Sequence, residues 1–256
     1  MRIYIEKNPE DASQKAAKLV IGLLKSKPDA VLGLATGGTP VRLYRELINA
    51  NARGEISFKS VETFNLDEYV GLSPRDKNSY RRFMDENLFN LIDIDKSKTH
   101  VLDGTASDIA AACADFEKSI ALAGGIDLQI LGLGSDGHIG FNEPGSSFDS
   151  RTRLEYLTEK TIVDNARFFD GDKSKVPTSA ITMGIATIME AGKIALLAFG
   201  GKKSDAVKAM VEGDVDESVP ASVLRKHPDV SIFLDTAAAS KLSPDIYREI
   251  LSAPRD

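Results

Sequence analysis

Residues 127–133 read DLQILGL, a short and strongly apolar run that the glycine-rich residues GSDGH, 134–138, follow directly. An apolar run of this length without alternation is typical of a strand in a parallel sheet, because both faces of such a sheet are covered. Residues 30–35, AVLGLA, and residues 193–199, KIALLAF, have the same character. These runs predict a buried parallel sheet.

Segments with helical periodicity lie between the apolar runs. The predicted helices cover residues 16–24, 41–50, 78–90, 108–123 and 203–213, and further strands are predicted at 61–66 and 230–234. Thr39 is expected to be the N-cap of the second helix, with Pro40 as its first residue, and Ser107 the N-cap of the fourth. Strands that alternate with helices imply parallel pairing and right-handed crossovers. We therefore predict one domain, residues 1–256, with an α/β fold: a three-layer α/β/α sandwich around a mostly parallel, Rossmann-like central sheet.

The composition excludes several classes of protein. The chain has 42% hydrophobic and 27% charged residues, a net charge of −6 and one cysteine, Cys113. This balance is typical of a globular protein and provides no basic face for nucleic acid, and the single cysteine rules out an intramolecular disulfide framework. The N-terminal residues lack the apolar core of a signal peptide, and no run approaches the length of a membrane span. We expect a cytoplasmic protein without a membrane or nucleic-acid partner.

Polar or glycine-rich segments follow four of the predicted strands. The segments are TGGTP (36–40), DEY (67–69), GSDGH (134–138) and GGKK (200–203). Ligands bind at the carboxyl ends of parallel strands, which lie at one edge of the sheet. The convergence of the four segments at that edge predicts an active site.

The TGGTP segment has two open interpretations. Its glycines let the backbone approach an anion closely, and the N-terminus of the following helix adds a favourable dipole. The same residues also suit a tight turn between a strand and a helix. Lys203 and Arg167 are candidates to supply positive charge, although a single Lys or Arg is more often a solvated surface residue. The candidate phosphate-binding residues in the segment are Thr36, Gly37, Gly38 and Thr39.

Two acid/base candidates follow the other strands. Asp67 suits either a general base next to a carbon acid or a plain cap or turn. Of the three histidines, only His138 lies in a glycine-rich loop after a buried strand, and Asp136 and Glu143 flank it. A carboxylate on one imidazole nitrogen fixes the tautomer and raises the basicity of the other nitrogen, which predicts a base oriented by acids. A metal site at His138 and Glu143 is only weakly supported, because catalytic zinc sites usually use two or three histidines.

These motifs are similar to those of a known family. TGGTP, FNLDEYVGL, LGLGSDGHIGFNEPGSSFDSRTR, ARFFD and FGGKK resemble the glucosamine-6-phosphate deaminase (isomerase) family, in order from near residue 30 to at least residue 228. The block from Gly132 to Arg153 is the most specific part. Related sugar-phosphate lactonases share the DGH loop but typically continue with a threonine and an ASLFP-like stretch, where this chain has IGFNEP.

The resemblance implies a reaction and a role for each candidate. The reaction is isomerisation and deamination of glucosamine 6-phosphate to fructose 6-phosphate and ammonia, in the breakdown of N-acetylglucosamine, by an enzyme of the hydrolase class with no cofactor and no metal. His138 would assist ring opening, with Asp136 and Glu143 orienting it. Asp67 would move a proton from C2 to C1 of the open-chain sugar. The phosphate site that the resemblance implies consists of Thr36, Gly37, Gly38, Thr39, Arg167 and Lys203.

The chain departs from one family feature. Some hexameric members are activated by N-acetylglucosamine 6-phosphate, at a site that includes a lysine after the NEP motif. Ser146 and Arg153 are compatible with that site, but the lysine position is Glu155. A carboxylate repels phosphate, so we expect little or no activation. Monomeric members exist as well, so a monomer and a homo-oligomer both stay open. Residues 145–185 are the least regular long region and the candidate lid.

Two alternative functions belong to other classes. A sugar-phosphate lactonase, a hydrolase similar to 6-phosphogluconolactonase, would need His138 and water but no carbon base, so Asp67 discriminates between the two reactions. A non-catalytic sugar-phosphate sensor is the second alternative. Related regulators carry an N-terminal DNA-binding helix-turn-helix, whereas the strand-and-helix pattern here begins almost at Met1. We therefore expect an enzyme whose partner is a small amino-sugar phosphate.

Overall fold

The structure is a computed structural model that describes residues 1–252, and the strands of this part of the chain form two sheets. The strands are, in chain order, β1 (Arg2–Glu6), β2 (Val31–Leu34), β3 (Glu62–Asn65), β4 (Asp67–Tyr69), β5 (Thr99–His100), β6 (Leu128–Gly132), β7 (Arg153–Tyr156), β8 (Ser179–Thr182), β9 (Ile194–Ala198) and β10 (Val230–Asp235).

Helices connect most of the strands. They are α1 (Pro9–Ser26), α2 (Val41–Ala52), α3 (Tyr80–Met84), α4 (Ile109–Leu122), α5 (Glu159–Asn165), α6 (Ile185–Met189), α7 (Ser204–Glu212) and α8 (Pro244–Ser252). Short 3₁₀ turns include Ala166–Phe168 and Gly201–Lys203, and a π-helical turn, Asp85–Phe89, follows α3. Within residues 1–252, no helix combines the length and the apolar character that crossing a bilayer requires.

The larger sheet has seven strands in the order β1-β10-β9-β6-β2-β3-β5, and all of its pairs are parallel. Every residue of β2, β9 and β10 is buried. Alternation is lost in these strands because helices flank the sheet. The predicted α/β sandwich with a mostly parallel central sheet is thus confirmed.

The four strands that precede the polar segments are neighbours in this sheet. In the strand order, β9, β6, β2 and β3 are consecutive. Their carboxyl ends therefore lie side by side at one edge. The predicted convergence of the four segments is confirmed, and it forms the floor of the site described below.

The second sheet is small and antiparallel, in the order β4-β8-β7, and the sequence analysis did not predict it. β4 is the DEY segment, which was expected to be a loop after a strand. In the register of the sheet, Thr182 of the central strand β8 pairs with both Asp67 and Arg153. A separate apolar cluster packs around this sheet; its buried members are Tyr69, Phe141, Leu157, Ala166, Phe169, Val176 and Ala180.

Three predicted helix boundaries are wrong. The N-cap of α4 is Asp108, whose carboxylate accepts from Ala111 N–H, and not Ser107. Pro40 and not Thr39 occupies the N-cap position of α2, and no side chain within residues 1–252 caps that helix. The predicted helix over 78–90 starts only at Tyr80, because the Ser79 hydroxyl accepts from Arg82 N–H and caps α3 there, and it continues to Phe89 as the π-helical turn.

Candidate active site

A cleft opens at the carboxyl ends of β9, β6, β2 and β3. Eight of the predicted site residues line it: Thr36, Gly37, Gly38, Thr39, Asp67, His138, Arg167 and Lys203. The other two, Asp136 and Glu143, contact or approach His138. All ten predicted residues are therefore in one place.

The imidazole of His138 lies beside two carboxylates. Asp136 Oδ1 is 2.7 Å from His138 Nδ1, and Glu143 Oε2 is 3.9 Å from the same nitrogen. Burial opposes ionisation of Asp136, but the hydrogen bond and charge of His138, together with the charge of Lys160, hold the pKa of Asp136 well below its usual range. Because an ionised carboxylate only accepts hydrogen bonds, Nδ1 carries the hydrogen, and Nε2 is the basic atom of the neutral ring. This is the geometry that an oriented base requires.

The loop backbone passes very close to this imidazole. A Cβ at Gly134 would lie 2.3 Å from His138 Nδ1, which no side chain tolerates. The loop folds back on itself, since Gly134 N–H donates to the carbonyl oxygen of His138 at 2.8 Å. Gly137, in the same turn, has φ of +90°, a conformation that favours glycine. The glycines of GSDGH therefore fix the ring against the end of β6.

Asp67 approaches the cleft from the small sheet. Asp67 is 6% exposed, and a Cβ added at Gly140 would lie 3.6 Å from Asp67 Oδ2. Burial, helped by the neighbouring charge of Glu68, raises the pKa of Asp67 to about 8. The strand β4 holds this carboxylate inside the protein at the cleft wall, where a titrating group near neutral pH suits proton transfer.

Glu68 has a different role from its neighbour Asp67. Its carboxylate accepts hydrogen bonds from the backbone N–H groups of Tyr69, Tyr80 and Arg81 at 2.9, 2.9 and 3.0 Å. Burial raises the pKa of Glu68, although those backbone hydrogen bonds oppose the rise. Glu68 thereby fixes the start of α3, which brings Tyr80 into the lining of the cleft. Sequence reasoning assigned no function to Glu68 because its partners are backbone atoms distant in sequence.

The TGGTP segment forms another wall. Gly37 has φ of +92°, and a Cβ at Gly37 or Gly38 would meet no atom of residues 1–252 within 4 Å. The backbone of the segment is therefore open to the cleft. Helix α2 follows directly, so its leading amide groups and the positive end of its dipole lie beside Thr39. A helix N-terminus next to an accessible glycine backbone is a typical anion site.

Two cationic side chains face the same region. Burial lowers the pKa of the Lys203 ammonium, and the charge of Arg167 lowers it further. The Arg167 guanidinium stacks over Phe168, 4.7 Å from its ring centre, which holds it at the cleft rim. Two like charges at one cleft repel each other, so an anion bound between them would be favourable.

Residues 145–185, the candidate lid, contain only short elements of regular structure. The segment supplies β7, α5 and β8, and lid motion stays a prediction. At the N-terminus of α5, the hydroxyl of the N-cap residue Thr158 donates to Glu143 Oε1 at 3.4 Å, and Lys160 Nζ lies 3.4 Å from Asp136 Oδ2. Further along the segment, residues that the sequence analysis missed line the cleft: Thr161, Asp164, Asn165 and Phe168.

The side chains at the positions of the family's N-acetylglucosamine 6-phosphate site contact one another. Arg153 Nη2 contacts Glu155 Oε2 at 2.5 Å and Ser146 Oγ at 3.2 Å. Its Nη1 donates to Asn142 Oδ1 at 2.8 Å, and Asn142 in turn donates to the Ile139 and Met183 carbonyl oxygens. The guanidinium is thus paired within the chain, and it ties β7 to the loop that carries Glu143.

The acids around His138 also have the spacing of a metal site. Asp136, His138 and Glu143 each offer an oxygen or nitrogen atom, and these atoms lie within 4.8 Å of one another. The hydrogen bond between Asp136 and His138 already brings two of the three ligand atoms together without a metal. With a single histidine, the set has fewer nitrogen ligands than catalytic zinc sites usually use. We therefore interpret the three residues as an acid/base group.

Known proteins share both the sequence and the fold. The family model described as glucosamine-6-phosphate isomerases/6-phosphogluconolactonase matches residues 7–232. A glucosamine-6-phosphate deaminase of Hahella chejuensis is 53% identical over 253 residues, which are 98% of this chain and 96% of the relative. One from Thermoanaerobacter pseudethanolicus is 50% identical over 250 residues, which are 98% of each chain.

Solved structures agree with this relationship. A monomeric glucosamine-6-phosphate deaminase has a TM-score of 0.92 and 45% identity, and the match covers 94% of this chain and 99% of that one. The 6-phosphogluconolactonase of Trypanosoma brucei has a TM-score of 0.74 at 21% identity, over 94% of this chain and 98% of that one, so it shares the fold. The chain belongs to the family of glucosamine-6-phosphate isomerases and 6-phosphogluconolactonases.

Proposed function

We propose that this protein converts glucosamine 6-phosphate to fructose 6-phosphate and ammonia. The observation that carries the proposal is the position of Asp67, a buried carboxylate that lines the same cleft as His138 but comes from the other sheet. Isomerisation of an aldose needs a base at carbon, whereas opening its ring needs a proton carrier at oxygen. Two acid/base groups on different walls of one cleft meet both needs.

Ring opening is assigned to His138. Its Nε2 takes the proton of the anomeric hydroxyl and returns a proton to the ring oxygen as the C1–O5 bond breaks. Asp136 accepts from Nδ1–H at 2.7 Å, so it keeps the ring oriented and stabilises the imidazolium that forms between the two transfers. Glu143, 5% exposed and 3.9 Å from Nδ1, adds a second negative charge.

The carbon step is assigned to Asp67. Its ionised carboxylate takes the C2 proton, the C–H electron pair forms the C1=C2 bond, and the aldehyde oxygen takes a proton from the ammonium group at C2 to give a neutral enolamine. Asp67 then delivers the proton to C1, which leaves an iminium at C2. Water adds to that carbon and ammonia departs. Burial raises the pKa of Asp67 to about 8, so its ionised form is not favoured at neutral pH in the free protein. A cationic amino group at C2 of the substrate stabilises the ionised carboxylate by charge attraction.

The phosphate is assigned to the wall formed by Thr36–Thr39. The amide groups before α2 would bind its oxygens, and Lys203 and Arg167 would neutralise its charge. The lowered pKa of Lys203 supports this assignment, because a dianion between the two cations would offset both the desolvation of Lys203 and its repulsion from Arg167. Binding there would fix the sugar with its reacting carbons between Asp67 and His138.

The names of the relatives describe a deaminase and an isomerase. The hydrolase class expected from the sequence is therefore wrong as a label, although one water is consumed as ammonia is released. The pathway that we propose from this reaction is the breakdown of amino sugars.

A substrate comparison tests the proposal. The purified protein is given glucosamine 6-phosphate in one assay and 6-phosphogluconolactone in another, and ammonia and acid release are measured. We expect rapid ammonia release and slow or undetectable lactone hydrolysis. Lactone hydrolysis without ammonia release would overturn the proposal in favour of the lactonase.

The phosphate assignment has its own test. Lys203→Ala removes a charge that contacts the substrate equally before and during the reaction, so KM should rise by about 10- to 100-fold with little change in kcat. Lys202→Ala is the matched control, since Lys202 is adjacent in sequence to Lys203 but does not line the cleft. An unchanged KM for Lys203→Ala would contradict the assignment.

A further inference from the structure

The N-terminus of α5, with its N-cap residue Thr158, contacts both carboxylates that flank His138. Thr158 donates to Glu143, and Lys160 Nζ lies 3.4 Å from Asp136 Oδ2. The two oxygens of Asp136 therefore have different partners: Oδ2 lies near Lys160, and Oδ1 accepts from His138 Nδ1 at 2.7 Å. The aspartate thus lies between the ammonium of Lys160 and the imidazole of His138.

This arrangement opposes protonation of His138 in two ways. The Lys160 charge repels the positive charge of an imidazolium. It also attracts electron density toward Oδ2, so that Asp136 stabilises the imidazolium less than an unpaired carboxylate would. The side chain of Asp136 is 16% exposed, which limits solvent screening, while Lys160 is 53% exposed and is screened more strongly.

We propose that Lys160 is a positioning residue that acts through Asp136 to lower the proton affinity of His138. Given the proposed function, it sets the pH range in which His138 is free to accept the ring-opening proton. Lys160 does not line the described cleft, so its effect on the reaction would pass through Asp136 rather than through contact with the sugar. The charge of Lys160 is also one of the causes that hold the pKa of Asp136 low.

Other charged groups act on the same imidazole and are unchanged by a substitution at position 160. Asp136 and Glu143 favour the imidazolium from the loop after β6. Other elements contribute the remaining charged or titratable side chains that line the cleft: Lys203 before α7, Arg167 after α5, Asp164 in α5, Asp67 in β4 and Tyr80 in α3. Because all of these remain, a difference between the wild type and a Lys160 variant reports the Lys160 charge.

The direct test is an NMR pH titration of the histidine ring signals in the ligand-free protein. The chain has three histidines, and His138→Gln assigns the signal of interest. In Lys160→Met, the midpoint of the His138 titration should move up by about half a pH unit, a threefold change in proton affinity. The difference should shrink at high salt, and Lys160→Arg should stay close to the wild type.

The matched control is Lys173→Met. Lys173 lies in the same segment and pairs with Glu159 at 2.8 Å, away from Asp136. An unchanged His138 midpoint in Lys160→Met, or an equal shift in Lys173→Met, would overturn the proposal. The acidic limb of kcat/KM should move with the NMR midpoint. Because the titration uses no substrate, a failure of the proposed reaction and a failure of the Lys160 proposal give different results.

Discussion

The parallel sheet presents its site residues in loops after its strands, whereas the small antiparallel sheet presents Asp67 from within a strand. The first group includes the TGGTP segment and His138, which lie where β2 and β6 end. Asp67 begins β4 and is 6% exposed, with pairing to Thr182 across the sheet. The loops can therefore bind and orient a ligand from an open surface, while the strand can hold a carboxylate away from water.

The difference bears on the chemistry. Groups at the strand ends stay close to solvent, which suits phosphate binding and proton exchange at oxygen. A carboxylate inside a sheet loses hydration, and its pKa rises to about 8. The two sheets thus supply two kinds of acid/base environment to one cleft, and each of the following predictions perturbs one sheet or the contact between them.

A large effect on the rate is expected at the end of β6. Gly134→Ala would place a Cβ 2.3 Å from His138 Nδ1, so the imidazole must move. A displacement of about 1 Å in a catalytic group costs on the order of 100-fold in rate. We expect kcat/KM to fall at least that far. Gly22→Ala, in α1 with no described atom within 4 Å of the added Cβ, is the control. Near-normal activity of Gly134→Ala would show that the ring position is not critical.

A pH-dependent stability effect is expected from Asp67. Its folded pKa of about 8 lies above the usual value of 3.8, so between these pH values the folded protein keeps a proton that the unfolded chain releases. Its contribution to stability is therefore complete below about pH 4 and is lost as pH rises through 8. Asp67→Asn should gain stability relative to the wild type as pH rises, on the order of a few kcal/mol at pH 9.

Denaturant unfolding at several pH values measures this difference. Asp149→Asn, at an exposed position, is the control and should give a constant difference. Parallel pH curves for Asp67→Asn and the wild type would contradict the assignment of a protonated, buried Asp67.

The contact between the two sheets is tested at Thr182. Its hydroxyl accepts from Phe141 N–H at 3.0 Å, in the loop that follows His138. Thr182→Val keeps the shape but leaves that buried N–H unpaired, which costs about 1–3 kcal/mol. Hydrogen exchange at the Phe141 amide should become faster. Ile181→Val, on the same strand, should lose some stability without this local change. Unaltered exchange in Thr182→Val would show that the hydroxyl does not join the two sheets.

These tests also separate what was predictable from what was not. The parallel sheet followed from apolar runs such as 30–35 and 127–133, since burial of both faces removes alternation. The residues at its strand ends could be named for the same reason, and the structure brings all ten predicted site residues together. The family resemblance supplied the reaction and the residue roles, which residue patterns alone left open.

The small sheet was not predictable in the same way. β4 has three residues and β7 and β8 have four each, too short for a clear period. The pairing of β4 with β8 joins residues that are more than 100 positions apart in sequence, such as Asp67 and Thr182. The burial of Asp67 and the contact of Lys160 with Asp136 depend on that long-range packing.

The smallest effect is expected at the edge of the small sheet. The Arg153 guanidinium is engaged by Glu155, Ser146 and Asn142, so it is not free to bind an incoming phosphate. Adding N-acetylglucosamine 6-phosphate should change the rate of ammonia release by less than about twofold, because the Glu155 carboxylate also repels the ligand. A several-fold activation would show that the pair opens to admit the effector.

The central claim, that Asp67 of the small sheet is the carbon base while the parallel sheet binds the sugar phosphate, is tested most directly with Asp67→Asn. Ammonia release from glucosamine 6-phosphate and binding of the same sugar phosphate by calorimetry are measured on one preparation. Loss of a general base typically costs about 10²–10⁴-fold, so turnover should fall by that much while the dissociation constant stays within about tenfold of the wild type. Turnover close to that of the wild type would contradict the account.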